Sequence, residues 1–341
     1  MTDLRTIRER LALAPEVADA LATGRPLVAL ESTLISHGLP YPQNLEVARA
    51  SESAIRAAGA IPASVAIHDG RLLVGLDDAV LESLATAPAG TVRKAARPSL
   101  AIALGSGGWA ATTVSATMIA AHAAGIGVFA TGGIGGVHRG SLTAGASAHP
   151  ASFDISSDLE ELARTPMAVV CAGPKAILDV PATIEFLETR GVPVVAIGQD
   201  DLPGFFARSA GVRAPGMVAD VAEAAALVAT HLGLGLRAGI LVCAPIPLDS
   251  ALPEAIAMDA VEQAIRDAEA AGIGGPALTP WLLARIADLT GGASIRANTA
   301  LIVNDARVAG ELAVLLAGAG TLDGPDKPPH VPRRAQPNAD L

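Results

Sequence analysis

The sequence predicts an α/β fold, and three observations lead there. Short apolar runs of strand length alternate with longer amphipathic stretches from Pro26 to about Ala317. Glycine and proline are frequent, 35 and 24 of 341 residues, as a turn-rich fold of this class requires. Hydrophobic residues make up 51% of the chain and aromatic ones only 2%, so Ala, Val, Leu and Ile must build the core. No internal repeat interrupts the alternation. A single domain is therefore expected over residues 1–320, near the upper size for one core.

In chain order, residues 1–25 read as a helical lead-in punctuated by Pro15 and Gly24. Pro26–Leu30 is a buried strand that ends on Glu31, and a carboxylate placed there is costly unless it has a role. A helix follows over Asn44–Ala58, then a hairpin over 62–75 with Asp69-Gly70 as its turn, then a helix over Asp77–Ala85. The basic cluster Val92–Arg97, which includes Lys94, is either a solvated helix end or a contact to a phosphate or base. A strand is expected at Leu100–Leu104, then a glycine loop and a helix over Thr113–Ala124.

Gly127–Ala130 leads into Thr131-Gly132-Gly133-Ile134-Gly135-Gly136-Val137-His138-Arg139-Gly140. Glycines there let backbone N–H groups approach an anion, with Thr131 and His138 as side-chain donors. The spacing is not Gly-x-Gly-x-x-Gly, and no acidic residue ends the next strand. A dinucleotide site is rejected and a phosphate nest retained.

A helix opens at Ser156/Ser157 and ends near Pro166. The strand Met167–Ala172 then delivers Gly173, Pro174 and a single lysine, Lys175. Two readings stand at this point. Ser157 and Glu160 form a capping box with Lys175 solvated, or Lys175 is an amine nucleophile beyond the carboxyl end of a strand. Strands at Val194–Ile197, Gly216–Val218 and Gly239–Ala244 follow. Amphipathic helices cover Ile256–Ala271 and Pro280–Leu289. A last helix opens at the Gly291–Asn298 segment and runs to about Ala317, with Asn298 near its start, a capping position. Residues 321–341 are Pro-rich and charged and read as a disordered tail.

Several classes are excluded. A net charge of −10 with no basic stripe argues against a nucleic-acid partner. Pro98–His138 holds no charged residue, yet glycines and polar side chains break it up, so no membrane span is expected. Cys171 and Cys243 lie in apolar runs and read as reduced core residues, which together with an N-terminus lacking a signal core points to the cytoplasm.

Taken together, these motifs make the chain resemble the pseudouridine-5′-phosphate glycosidase family, also called the indigoidine synthase A-like family, over about residues 15–318. The carriers are Ala29–Thr33 with Pro40–Asn44, Ala111–Val114 with Ala116–Met118, and Phe129–Gly140. They continue with Asp154–Ser156 and Asp158-Leu159, Val170–Gly173 with Lys175, Leu187–Thr189, Thr290–Gly292 and Asn298. The resemblance implies a three-layer α/β/α fold with a mostly parallel sheet, a homotrimer and a divalent metal, typically Mn²⁺. It implies reversible cleavage of the C–C glycosidic bond of pseudouridine 5′-phosphate to uracil and ribose 5-phosphate.

By the same resemblance, Lys175 is the nucleophile, Glu31 the general acid/base and Asp154 the metal carboxylate. Lys94, Val114, Ser156, Ser157, Asp158 and Asn298 contact substrate, and Thr131 with His138 hold the phosphate. The chemistry agrees, because a C–C bond to a sugar carbon offers no oxygen or nitrogen leaving group to protonate. A lysine imine supplies the electron sink instead. Burial and a nearby cationic Lys94 would favour the neutral amine.

The chain also departs from the family pattern, at Ala96–Ser99, Gly107–Ala110, Ile197–Gln199 and Ala244–Pro247. The stretch between Arg139 and Phe153 is about eight residues longer than the pattern. The departures favour a second reading, a biosynthetic C-glycosynthase joining ribose 5-phosphate to another heterocyclic or aromatic acceptor, with Trp109 as a stacking surface. A catalytically silent sugar-phosphate-binding module is the third, and joint retention of Glu31, Asp154 and Lys175 argues against it.

Overall fold

The structure, a computed structural model, describes residues 5–88, 90–142, 153–274 and 278–320. The expected tail at 321–341 lies outside the described residues, as does most of the long stretch after Arg139.

A short helix α1 (Arg5–Arg8) precedes strand β1 (Leu11–Leu13) and helix α2 (Pro15–Thr23). The helical lead-in is thus interrupted: Leu11-Ala12-Leu13 pairs in parallel with residues 72–74. A tertiary partner outweighs local propensity over so few residues. Pro15 opens α2 and Gly24, at φ 68°, closes it. Next come β2 (Leu27–Leu30), α3 (Thr33–His37), α4 (Gln43–Ala57) and the hairpin β3 (Ile61–His68)–β4 (Arg71–Val74). Its turn residues Asp69 and Gly70 both have positive φ, 45° and 76°, which suits the twist of a two-residue hairpin. Helix α5 (Asp78–Ala85) is capped by Asp77, whose carboxylate accepts the Val80 N–H at 2.8 Å.

Strand β5 (Arg93–Ala95) is followed by helix α6 (Leu100–Gly105), where the sequence reading expects a strand. A five-residue apolar run carries no period to separate the two. Here Ser99 Oγ accepts the Ala96 N–H at 3.0 Å, closing a turn that feeds a helix and leaves Ile102 exposed. The strand of this region is β6 (Trp109–Thr112), inside the expected glycine loop.

The remaining elements are α7 (Val114–Ala124), β7 (Val128–Ala130), β8 (Val137–His138), α8 (Ser157–Leu162), β9 (Ala168–Cys171), β10 (Leu178–Asp179) and α9 (Val180–Thr189). They continue with β11 (Val194–Ile197), β12 (Gly216–Val218), α10 (Val221–Gly233), β13 (Ile240–Cys243), α11 (Glu254–Ala270), α12 (Leu278–Leu289) and α13 (Ala293–Gly318).

The main sheet runs β1-β4-β3-β2-β7-β9-β13-β11-β12, with β6 also on β3 and β5 on β6. Among the described residues only the β3–β4 and β3–β6 pairs of this sheet are antiparallel, so it is mostly parallel as expected. Its central strands are buried on both faces. Leu27, Ala29, Phe129 and Val169 turn towards a cluster with Met118 of α7 and Leu159 of α8. Val28, Leu30, Val128 and Val170 turn towards Ile55 of α4, Val228 of α10 and Leu312 of α13. The result is three layers, helix on sheet on helix. A further cluster joins Phe205 and Phe206 to α11, α12 and the start of α13.

Candidate active site

Parallel strands place their carboxyl ends side by side, and the site stands on that rim. Leu30 of β2 is in register with Ala130 of β7, so the next residues, Glu31 and Thr131, stand level. Thr131 donates its hydroxyl hydrogen to Glu31 Oε1, and the Thr33 hydroxyl holds Oε2. One hydroxyl from a strand end and one from the first residue of α3 therefore fix the orientation of a half-buried carboxylate.

One strand further, β9 ends and the chain turns through Gly173 and Pro174 to Lys175. Gly173 has φ +88°, and a Cβ there would lie 2.9 Å from the Pro203 carbonyl oxygen. The Lys175 N–H donates to Ile134 O at 3.1 Å, and the Ile134 N–H to Gly173 O at 3.2 Å. The glycine loop thus runs beside the lysine loop and is stitched to it.

These groups line a cavity of about 320 Å³. Glu31, Lys94, Thr131, Lys175 and Asn298 all border it. Lys94 is an exposed residue that also borders the cavity. Burial first, then the positive charge of Lys175, holds its pKa below the usual lysine value, with Glu31 and Asp158 acting in the opposite sense. The two lysines border the same cavity.

The basic cluster around Lys94 is not a solvated helix end, because β5 pairs in register with β6. Its members separate: Arg93 is exposed, Lys94 enters the cavity, and Arg97 pairs with the carboxylate of Glu161, which is 2% exposed.

Ser156, Ser157 and Asp158 lie behind the glycine loop. Asp158 is buried and accepts the Ser115 and Gly135 N–H groups, each at 3.0 Å, one on each carboxylate oxygen. Ser156, not Ser157, caps α8, its hydroxyl accepting the Asp158 N–H at 3.2 Å. The expected Ser157–Glu160 capping box is absent: the Glu160 carboxylate pairs with Arg164 and Arg190. Ser157 Oγ lies 3.2 Å from Ser115 Oγ. Val114 is buried in the first turn of α7, away from the cavity wall. Asn298 is no cap, since α13 starts at Ala293 with Gly292 before it, and its amide has no partner among the described residues.

His138 and Asp154 sit together beyond the loop, with Nδ1 3.9 Å from Oδ2 and the His138 N–H on Asp154 O at 3.0 Å. Among the described residues, no group of three or more His, Cys, Asp and Glu is arranged to hold a metal ion. A half-exposed carboxylate fits a hard divalent cation that keeps most of its waters, and does not fit a closed protein cage.

Trp109 does not line the cavity; its ring packs on His68 at 4.2 Å between centroids. Sequence reasoning missed Thr33, Ser51, Ser64 and Phe205, which also line the cavity. Thr33 adjoins Glu31, a signal available in the sequence; the others are brought in by strand order and helix packing.

The profile of the family described as indigoidine synthase A like protein matches residues 16–315. The chain is 54% identical over 307 residues to a pseudouridine-5′-phosphate glycosidase of Paracoccus denitrificans (strain Pd 1222), covering 90% of this chain and 98% of that protein. It is 51% identical over 306 residues to one of Solibacter usitatus (strain Ellin6076), covering 90% and 99%. Among solved structures it resembles the prealnumycin C-glycosynthase AlnA in complex with ribulose 5-phosphate, with a TM-score of 0.81, 38% identity and coverage of 91% and 98%. An indigoidine synthase A-like protein of Thermotoga maritima superposes with a TM-score of 0.78 at 31% identity, covering 90% and 96%. Strand-end chemistry, three-layer architecture and sequence thus converge, and the chain belongs to the indigoidine synthase A-like family.

Proposed function

We propose that this protein reversibly cleaves the C–C glycosidic bond of pseudouridine 5′-phosphate, giving uracil and ribose 5-phosphate. The observation that carries the reading is the convergence of Lys175, Lys94 and Glu31 on one cavity at the sheet rim. The names of relatives matching at 54% and 51% identity supply the substrate class.

Lys175 Nζ attacks C1′, and O4′ leaves with a proton from Glu31. The C1′–C5 bond then breaks, its electron pair passing to the uracil ring, where C5 takes a proton, while the lysine nitrogen pair closes a C1′ iminium. Water hydrolyses the imine and releases ribose 5-phosphate. Thr131 and Thr33 hold Glu31 in the orientation this shuttling needs. Lys94 and Asn298 offer donors to the sugar phosphate from the cavity wall, with His138 beyond the loop and outside that lining, and Asp158 on the Gly135 N–H with the Ser156 N–H on Gly136 O keeps the glycine loop in place. Asp154 would hold Mn²⁺ mostly through water, where the ion supplies charge neutralisation.

We assign the reaction to a single catalytic domain over residues 1–320 acting as a homotrimer in the cytoplasm. Free buried thiols at Cys171 and Cys243 support a reducing compartment, and exposed Leu248, Ile256 and Met258 support a covered surface near α11. Light scattering tests the trimer, and a monomer of 34.1 kDa would refute it. Among the described residues no helix is long and apolar enough to cross a membrane.

The likeness to AlnA keeps C-glycosynthesis on another acceptor as the second reading; turnover with several aglycones separates the two. The mechanism is tested by borohydride trapping with ribose 5-phosphate and Mn²⁺. A pentitol-phosphate adduct on Lys175 is expected. Binding of ribose 5-phosphate without an adduct would refute the imine.

A further inference from the structure

The cavity has an inner half that the bond-breaking chemistry leaves unassigned. Its floor is three residues in register on adjacent parallel strands, Ser64 of β3, Leu30 of β2 and Ala130 of β7. Ala48 and Ser51 of α4 and Ile302 of α13 line it as well. Two hydroxyls are the polar side chains in this set.

Each has already committed its hydrogen. Ser51 Oγ donates to Val47 O at 2.9 Å, and Ser64 Oγ donates to Glu52 Oε1 at 2.5 Å. A hydroxyl has one hydrogen and two acceptor lone pairs, so both can meet a ligand only as acceptors. Ser64 is 2% exposed and Ser51 1%. An acceptor so placed costs about 1–3 kcal/mol when a ligand brings no donor to it. The inner half therefore selects for an N–H or O–H.

Sheet order decides which part of the substrate arrives there. Lys175 follows β9, Thr131 follows β7, Glu31 follows β2, and Ser64 lies on β3, so they succeed one another across the sheet. Neighbouring strands are about 4.8 Å apart. With C1′ at Lys175 and the breaking bond between Lys175 and Glu31, the base extends past Glu31 over β2 and β3. Both ring nitrogens of uracil stand two bonds from C5. A ring N–H and its acceptor thus reach about 5 Å from that carbon, one strand spacing.

Resting on the functional reading above, we propose that Ser64, its hydroxyl hydrogen held by Glu52, accepts a hydrogen bond from a ring N–H of the aglycone. The enzyme is thereby specific for lactam and imide heterocycles. Ser64 is a specificity-determining residue, and Glu52 fixes its direction.

The test is condensation of ribose 5-phosphate with uracil, 1-methyluracil and 3-methyluracil by the wild type, Ser64→Ala and Ser64→Thr. The wild type is expected to prefer uracil to one methyl isomer by roughly 100-fold in kcat/KM for the aglycone. Ser64→Ala should lose roughly 10- to 100-fold with uracil and bring that ratio close to one. Ser64→Thr, which keeps the hydroxyl, should restore it. A methyl clash alone would give the wild-type ratio but not the loss of uracil turnover in Ser64→Ala.

An unchanged ratio in Ser64→Ala overturns the proposal, as does a wild type indifferent to both methyl isomers. If Ser64→Ala does not fold, Ser64→Cys, close in size but a weak acceptor, carries the same comparison. Trapping on wild-type Lys175 separates the two failures. An adduct together with no effect at Ser64 leaves the functional reading intact and removes only this proposal. No adduct and no turnover of uracil removes both.

Discussion

Thr131, at the end of β7, donates its hydroxyl hydrogen to the carboxylate of Glu31, at the end of the neighbouring β2. A hydrogen bond to a charged group contributes about 1.5–3 kcal/mol. Thr131→Val keeps the shape and removes the donor. It should lower kcat roughly 10- to 100-fold while the borohydride adduct at Lys175 still forms. Steady-state kinetics beside adduct mass spectrometry would check this, and an unchanged kcat would show that Glu31 needs no such support.

Lys94 gives a pH dependence of definite sign. Its pKa is held below the ordinary lysine value by burial and by Lys175. As pH rises through that lowered value, Lys94 loses its charge and its attraction for the phosphate. Ribose 5-phosphate affinity should weaken by about tenfold at alkaline pH, beginning below the pH at which a free lysine titrates. Lys94→Arg, charged throughout, should flatten the curve. Calorimetric Kd values across the alkaline range would decide it.

Asp305 of α13 is fully buried, and neither carboxyl oxygen has a hydrogen-bond partner among the described residues. The Ala172 amide beside it donates to Gly132 O at 3.1 Å. Burial, and then the Cys171 thiol, push the Asp305 carboxyl well above the usual carboxylate range. A raised folded-state value means stability that is complete below the ordinary carboxyl value and lost as pH climbs through the raised one. Asp305→Asn should therefore stabilise the protein by about 1–3 kcal/mol at alkaline pH and change little at acid pH. Urea unfolding at the two pH values would show it.

Gly135 has no room for a side chain. A Cβ there would lie 2.3 Å from Ser156 Oγ and 2.8 Å from Asp158 Oδ2. Gly135→Ala must displace the loop that Asp158 anchors. It should cost about 1–3 kcal/mol of stability and abolish ribose 5-phosphate binding. Thermal melts with and without the sugar phosphate would check both, and a full ligand-induced shift would contradict the anchoring role.

The buried strands were legible because strands covered on both faces are continuous apolar runs, as at Leu27–Leu30 and Ile240–Cys243. The place of Glu31 and Lys175 on one cavity was legible because residues just beyond parallel strand ends meet at a common rim. Leu11–Leu13 and Trp109–Thr112 were not, since three or four residues become strands only through partners elsewhere in the chain. Leu100–Leu104 carries an apolar run that fits either period. Ser64 gave no local signal: a serine within a hairpin strand gains its place from the register with Leu30 and from Glu52 on another element. Asn298 looked like a cap because the glycine pair before it hides one additional turn of helix.

The order of strands at the rim has a consequence for how such an enzyme can diversify. Thr131 and Lys175 reach the cavity from residues 131–175, Leu30, Ser51 and Ser64 from residues 30–64, and Lys94, Asn298 and Ile302 from elsewhere in the chain. The lysine side and the Ser64 side of the cavity thus rest on different strands of the sheet. Substitutions confined to Ser51 and Ser64 would therefore reshape that side of the cavity while Glu31, Lys175 and its loops stay as they are.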